Sequence, residues 1–133
     1  MRTPEELKDQ AKEIQLFLET ESSTNPEELS FRILKLMTFI ASSGEMLSEA
    51  KKLLRSRKSS EISKTIIAIA KEQCLSASVQ NALLDSICDE EAFLVDFIER
   101  VNRTATHQLD ACRSLLSYEK EQLKQVNYGS SNV

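Results

Sequence analysis

LLDSICDEEAFLVDFIERVNRTATHQLDACRSLL, residues 83–116, contains neither glycine nor proline. Leu84, Ile87, Glu91, Leu94, Ile98, Val101, Ala105, Gln108, Cys112 and Leu115 recur within it at alternating steps of three and four. That coiled-coil-like spacing draws one stripe along an α-helix, whereas a strand would alternate every second residue. The stretch predicts one long helix from a cap at Ser76 or Ser78 to about Val126. Fifty residues at 1.5 Å each would span about 75 Å. Asp89 in CDEE (88–91) offers one place where a new helix could start. Glu91, Asn102 and Gln108 are polar and lie on or near the stripe. Such groups either fix register or oligomeric state, or mark positions that neighbours only partly cover.

Working outward, the rest of the chain also reads as helix. Only two glycines and two prolines occur in 133 residues, which leaves few turns. TPEE (3–6) is a helix start, with Thr3 as cap, Pro4 in the first turn and Glu6 closing a capping box. Leu7, Ala11, Ile14 and Leu18 follow at helical spacing. NPEE (25–28) repeats the signal and opens a second helix to about Ser56. Its expected seam is Leu29, Ile33, Leu36, Ile40, Leu47 and Leu54. Phe31, Leu34, Phe39, Met46 and Leu53 widen its apolar surface, as in a central helix that touches several neighbours. Gly44 suggests a close helix crossing. RSRKSSE (55–61) separates this helix from a third, Glu61 to Leu75. There TIIAIA (65–70) has strand-like residues but helical spacing and no partner strand. The fold expected is an all-α antiparallel four-helix bundle with long central and C-terminal helices. It forms one domain over residues 1–126, with a flexible polar tail at 127–133.

Composition narrows function. The net charge of −4 is modestly acidic and argues against a surface basic throughout. MRTPEELKDQ (1–10) lacks an apolar segment, so no signal peptide is expected, and no apolar run reaches the ~20 residues of a membrane span. Cys74, Cys88 and Cys112 are odd in number and widely spaced, which fits buried thiols in a reducing cytoplasm rather than a disulfide framework. No catalytic, metal or cofactor residue is expected. His107 is the only histidine, and a bundle di-iron site needs Glu-x-x-His on two helices. DEEAF (89–93) lacks the alternation and glycine of a calcium loop. NRT (102–104) matches a glycosylation acceptor but sits inside a predicted helix. No small-molecule substrate is implied.

Three surfaces remain as candidates. At 100° per residue, Arg100, Arg103, His107, Asp110, Ser114 and Tyr118 share the side of the last helix opposite its seam. They read as a solvated face or as a partner face, since Arg and Tyr are favoured anchors. Lys51, Lys52, Arg55, Arg57 and Lys58, followed by Lys64, form a basic stretch over 51–64 that could contact phosphates. No aromatics interleave for base stacking, and cations near a helix C-terminus also serve its dipole. Val101, Ala105, Leu109, Cys112, Leu115 and Leu116 would form an oligomer seam if the last helix outruns its cover. The rival cover is the first helix, whose Leu7, Ile14 and Leu18 need a partner too.

ERVNRTATHQLDACRSLLSYEKEQL (99–123) with SGEMLSEAKKLL (43–54) resembles small all-helical proteins carried by phages and mobile elements of gut bacteria. The resemblance covers about the last third of the chain plus the short patch, and it contains no catalytic motif. It implies an accessory protein of a bacterial or phage cytoplasm. The expectation is a non-enzymatic interaction or assembly protein acting through helix packing, as a homodimer. The alternative is a small nucleic-acid-associated accessory protein using the basic stretch.

Overall fold

The structure, a computed structural model, describes residues 1–131, with side chains through residue 127. Five helices follow in order: α1 (Pro4–Leu18), α2 (Pro26–Lys58), α3 (Glu61–Glu72), α4 (Ala77–Ile87) and α5 (Asp89–Ser131). The described secondary structure is all helical, as expected. The arrangement differs from the expected four-helix bundle. α1, α2 and α5 form a three-helix bundle, and α3 and α4 form a hairpin between the end of α2 and the start of α5.

The local signals work as read. Thr3 and Glu6 make a reciprocal capping box, and Asn25 Oδ1 accepts from the Glu27 and Glu28 N–H groups. Ser60 and Ser76 cap α3 and α4. Each cap satisfies donors that the first turn leaves without intrahelical partners.

α2 and α5 run antiparallel, and three polar pairs mark their register. Arg57 stands 3.8 Å from Glu91. Asn102 donates to the Ile40 carbonyl at 3.1 Å and to Ser43 Oγ at 2.9 Å. Arg32 donates to Gln108 Oε1 at 2.9 Å. α1 lies parallel to α5. Pro4 and Lys8 flank Asp89 and Phe93, and Gln108 donates to the Leu18 carbonyl at 2.8 Å. The core joins Leu7, Ala11, Ile14 and Leu18 to Leu29, Leu36, Met46 and Ala50, and both sets to Leu94, Ile98, Val101, Ala105, Leu109 and Cys112. Full burial of one such Leu or Ile contributes about 1.5–3 kcal/mol. At its far end, α1 is tied to α2 by Arg2, which donates to Glu49 at 2.9 Å and to Gln10 at 2.7 Å. The Glu49 hydrogen bond holds the Arg2 guanidinium above its ordinary value. A raised pKa contributes stability below the unfolded value and loses it only as pH rises through the folded one. This tie therefore persists across neutral and moderately alkaline pH.

Four expectations need correction. First, the buried line of α2 is Leu29, Arg32, Leu36, Ser43, Met46 and Ala50. Ile33, Ile40, Leu47 and Leu54 flank it, partly buried. The seam is rotated toward the polar and small residues because Arg32 and Ser43 find hydrogen-bond partners there. Second, Gly44 makes no close crossing. It is exposed within an unbroken helix, and a Cβ built there meets nothing within 4 Å. Third, the last helix is divided at Cys88, which is buried and has φ −99° and ψ 15°. Its N–H donates to the Leu84 carbonyl, and its own carbonyl accepts from Ala92. Asp89, Glu90 and Glu91 fill the first turn of α5, where negative charge complements the dipole. Asp89 is thus the first helical residue, and Cys88 is the joint. Fourth, α5 remains helical to Ser131, five residues past the end expected near Val126 and within the segment 127–133. Residues 132–133 of that tail lie outside the described residues.

α3 stops at Glu72, three residues earlier than expected. Cys74 takes φ 56°, its N–H donates to the Lys71 carbonyl, and Leu75 N–H donates to the Ala70 carbonyl. This is a Schellman ending with cysteine in the left-handed position that glycine usually fills. Two substitutions should therefore stabilise the fold in opposite chemical senses. Gly44→Ala removes backbone freedom from an exposed helix interior, and Cys74→Gly removes left-handed strain. Each should raise the unfolding free energy by about 0.5–1 kcal/mol in urea titrations. A loss at position 44 would mean that the helix is not regular there.

Candidate interaction surfaces

The α5 face opposite the core carries Arg100, Arg103, His107, Asp110, Ser114 and Tyr118, and all six are exposed. Much of this face is internally satisfied. Arg103 stands 3.7 Å from Glu99, Arg100 lies over the Phe97 ring at 5.5 Å, and Ser114 donates to the Asp110 carbonyl. Cys112 points the other way, buried, with its sulfur 3.9 Å from Ser22 Oγ. His107 and Cys112 therefore cannot act as a nucleophile–base pair, which needs hydrogen-bond reach. Among the described residues, no group of three or more His, Cys, Asp or Glu side chains is placed to hold a metal ion.

A cleft of about 470 Å³ opens between α1 and α5, lined by Pro4, Glu5, Lys8, Asp89, Glu90, Phe93 and Leu94. Its charged groups are three carboxylates and one ammonium, beside an apolar floor. A smaller cleft of about 230 Å³ surrounds Thr20, Ser22, Arg32, Gln108, Ala111, Cys112 and Leu115. Its polar side chains are largely engaged in holding the end of α1.

The residues expected as an oligomer seam divide into two groups. Val101, Ala105, Leu109 and Cys112 are buried within this chain, under α1 and α2. Leu115 is 38% exposed and Leu116 half-buried. The cover ends where Ser22, in the α1–α2 connection, meets Cys112. Beyond that point the apolar line continues to Leu123, which is 54% exposed. Leu109, Leu116 and Leu123 lie seven residues apart, so one stripe runs from core to solvent. That period was legible in the sequence. The position of the cover was not.

In the basic stretch, Lys51, Lys52, Arg55 and Lys58 are exposed. Arg57 is half-buried and turned toward Glu91, so it belongs to the α2–α5 interface. Lys64 joins Lys58 on one groove, and so does Lys71, which the stretch 51–64 does not include. The seven-residue spacing from Lys64 to Lys71 was the signal for it. The hairpin also leaves Ile62, Ile69 and Val79 about half exposed. Among the described residues, no helix is long and apolar enough to cross a membrane.

An exposed imidazole in no hydrogen-bonded pair should be dispensable to the fold. His107→Ala should shift the unfolding free energy by less than about 0.5 kcal/mol in urea denaturation, as surface substitutions usually do. A loss several times larger would mean that the imidazole bridges neighbouring groups.

Comparison with known proteins finds no matching family model, no matching curated protein and no matching solved structure.

Proposed function

We propose that the chain is a non-enzymatic interaction protein that works by helix packing, and that its first partner is a second copy of itself. The observation that carries this reading is the apolar stripe of α5 outrunning its cover. Leu109 is buried, Leu116 is half-buried and Leu123 is exposed along one line. Soluble chains rarely leave a continuous apolar stripe in water. A two-fold contact, in which the stripe meets itself, is the simplest closed arrangement. The charges around it permit self-contact. Arg113, Lys120 and Lys124 are interspersed with Glu119 and Glu121, so no single sign dominates and like surfaces need not repel. Three covered helices would hold this projecting segment in place, as a rigid base holds a docking arm.

Light scattering tests this directly. The wild type should have a mass about twice the 15.0 kDa of one chain. Leu116→Asp combined with Leu123→Asp should give a folded monomer with unchanged far-ultraviolet circular dichroism. A wild type that remains at 15.0 kDa across the concentration range would rule out self-association through this stripe.

A further inference from the structure

We infer that Lys51, Arg55, Lys58, Lys64 and Lys71 form a single cationic track that holds the phosphate backbone of double-stranded nucleic acid without reading its sequence. The track depends on the turn between α2 and α3. Lys51, Arg55 and Lys58 stand at i, i+4 and i+7, so they share one face of α2 over about 10 Å. Lys64 and Lys71 stand seven residues apart on one side of α3, again over about 10 Å. Lys58, Lys64 and Lys71 line the same groove, with Ile67, Ala68 and Leu84 as its floor. The two rows therefore meet. Ser63 fixes how they meet, because its buried hydroxyl donates to the Arg57 carbonyl at 2.7 Å and accepts from Ser60 Oγ at 3.1 Å.

All five side chains are exposed. Among the described residues, none of them makes an ion pair or a side-chain hydrogen bond, whereas Arg2, Arg57 and Arg103 each face a carboxylate. Between residues 51 and 71 there are seven cations and one carboxylate, Glu61, in a chain whose net charge is −4. Positive charge is thus concentrated here against the overall balance.

Helix-end electrostatics explains only part of this. Arg55 and Lys58 lie in the last turn of α2 and Lys71 in the last turn of α3, where cations are favourable. Lys51 precedes that last turn by a full turn. Lys64 follows Glu61, Ile62 and Ser63 at the start of α3, the end at which the dipole disfavours a cation. Neither gains from its own helix, and both extend the track. The chemistry favours duplex over single strand because no aromatic side chain lines the groove for stacking on bases. An anionic membrane fits less well. On the α3 helical wheel, the exposed Ile62 and Ile69 fall on the flank opposite Lys64 and Lys71, so one flat surface cannot take both.

The test is fluorescence anisotropy with a labelled 20-base-pair DNA duplex, titrated with the full chain across a salt series. Five neutralised phosphates predict a slope of about −4.5 in log K against log salt, and reversal of three should remove more than half of it. Lys51→Glu, Lys64→Glu and Lys71→Glu together should weaken binding at least tenfold while circular dichroism is unchanged. Lys8→Glu with Lys12→Glu, on α1, should leave binding unchanged. The inference is overturned if the wild type shows no binding at low salt, if the triple variant binds as tightly as wild type, or if the α1 pair matters equally. It is also overturned if phosphatidylserine vesicles retain the protein while the duplex does not. None of these outcomes depends on self-association through α5, which light scattering reads separately.

Discussion

The Arg32 guanidinium is the point on which three helices converge. It is buried on α2, and among the described residues it makes no ion pair and its Nε–H finds no acceptor. Its NH1 group donates to Thr20 Oγ1 at 2.9 Å. Its NH2 group donates to the Thr20 carbonyl at 3.2 Å, to the Phe17 carbonyl at 3.4 Å and to Gln108 Oε1 at 2.9 Å. Phe17 lies beneath it at 4.6 Å and also packs edge-on against Phe39 at 5.1 Å. A buried cation without partners would be strongly unfavourable. Here the compensation comes from Thr20 just beyond α1, from Gln108 of α5 and, more weakly, from the Phe17 carbonyl in the last turn of α1, at the negative end of that helix's dipole. The compensation exists only when α1 ends at this place and α5 presents Gln108 at this height. One side chain thus fixes where α1 stops and how α2 and α5 are aligned.

The remaining architecture follows from that register. Asn102 reaches Ser43 and the Ile40 carbonyl one level along the α2–α5 interface, and Arg57 approaches Glu91 near its far end. A slip of α5 by one turn would break all three contacts and leave polar groups buried without partners. With α1 covering only the first half of α5, from Asp89 to Gln108, the later part of α5 projects beyond the bundle and the hairpin occupies the opposite end. The stripe proposed for self-association and the track proposed for nucleic acid are thereby separated along the length of the molecule, so each proposal can be tested without touching the other.

Much of this was readable from residues alone. The caps at Thr3 and Asn25, a cap at Ser59 or Ser60 and another at Ser76 or Ser78, and the heptad stripe from Leu94 to Cys112 depend on local chemistry, which a sequence carries directly; Ser60 and Ser76 are the two that the structure uses. The break at Cys88 was only partly legible, because Asp89 offered a helix start but neither glycine nor proline marks the place. A joint between good helix formers is set by where the hairpin must pack. The rotated seam of α2 escaped for a similar reason. Arg32 and Ser43 look like surface residues until their partners on α1 and α5 are placed. Among the candidate sites, the solvent face around His107 followed from helix periodicity. The burial of Val101, Ala105, Leu109 and Cys112 depended on which helix covers them. Lys71 joins the basic stretch only because the turn at Ser59–Ser60 brings α3 back beside the end of α2.

A double-mutant cycle between Arg32 and Gln108 measures the convergence most directly. Arg32→Leu, Gln108→Leu and their combination would each be unfolded in urea. A hydrogen bond to a charged group in a buried network predicts a coupling energy of about 1.5 kcal/mol or more, with both single variants destabilised. Effects that add to within about 0.5 kcal/mol would show the two side chains to be independent, and Arg32 would then not be the point that fixes the register of the bundle.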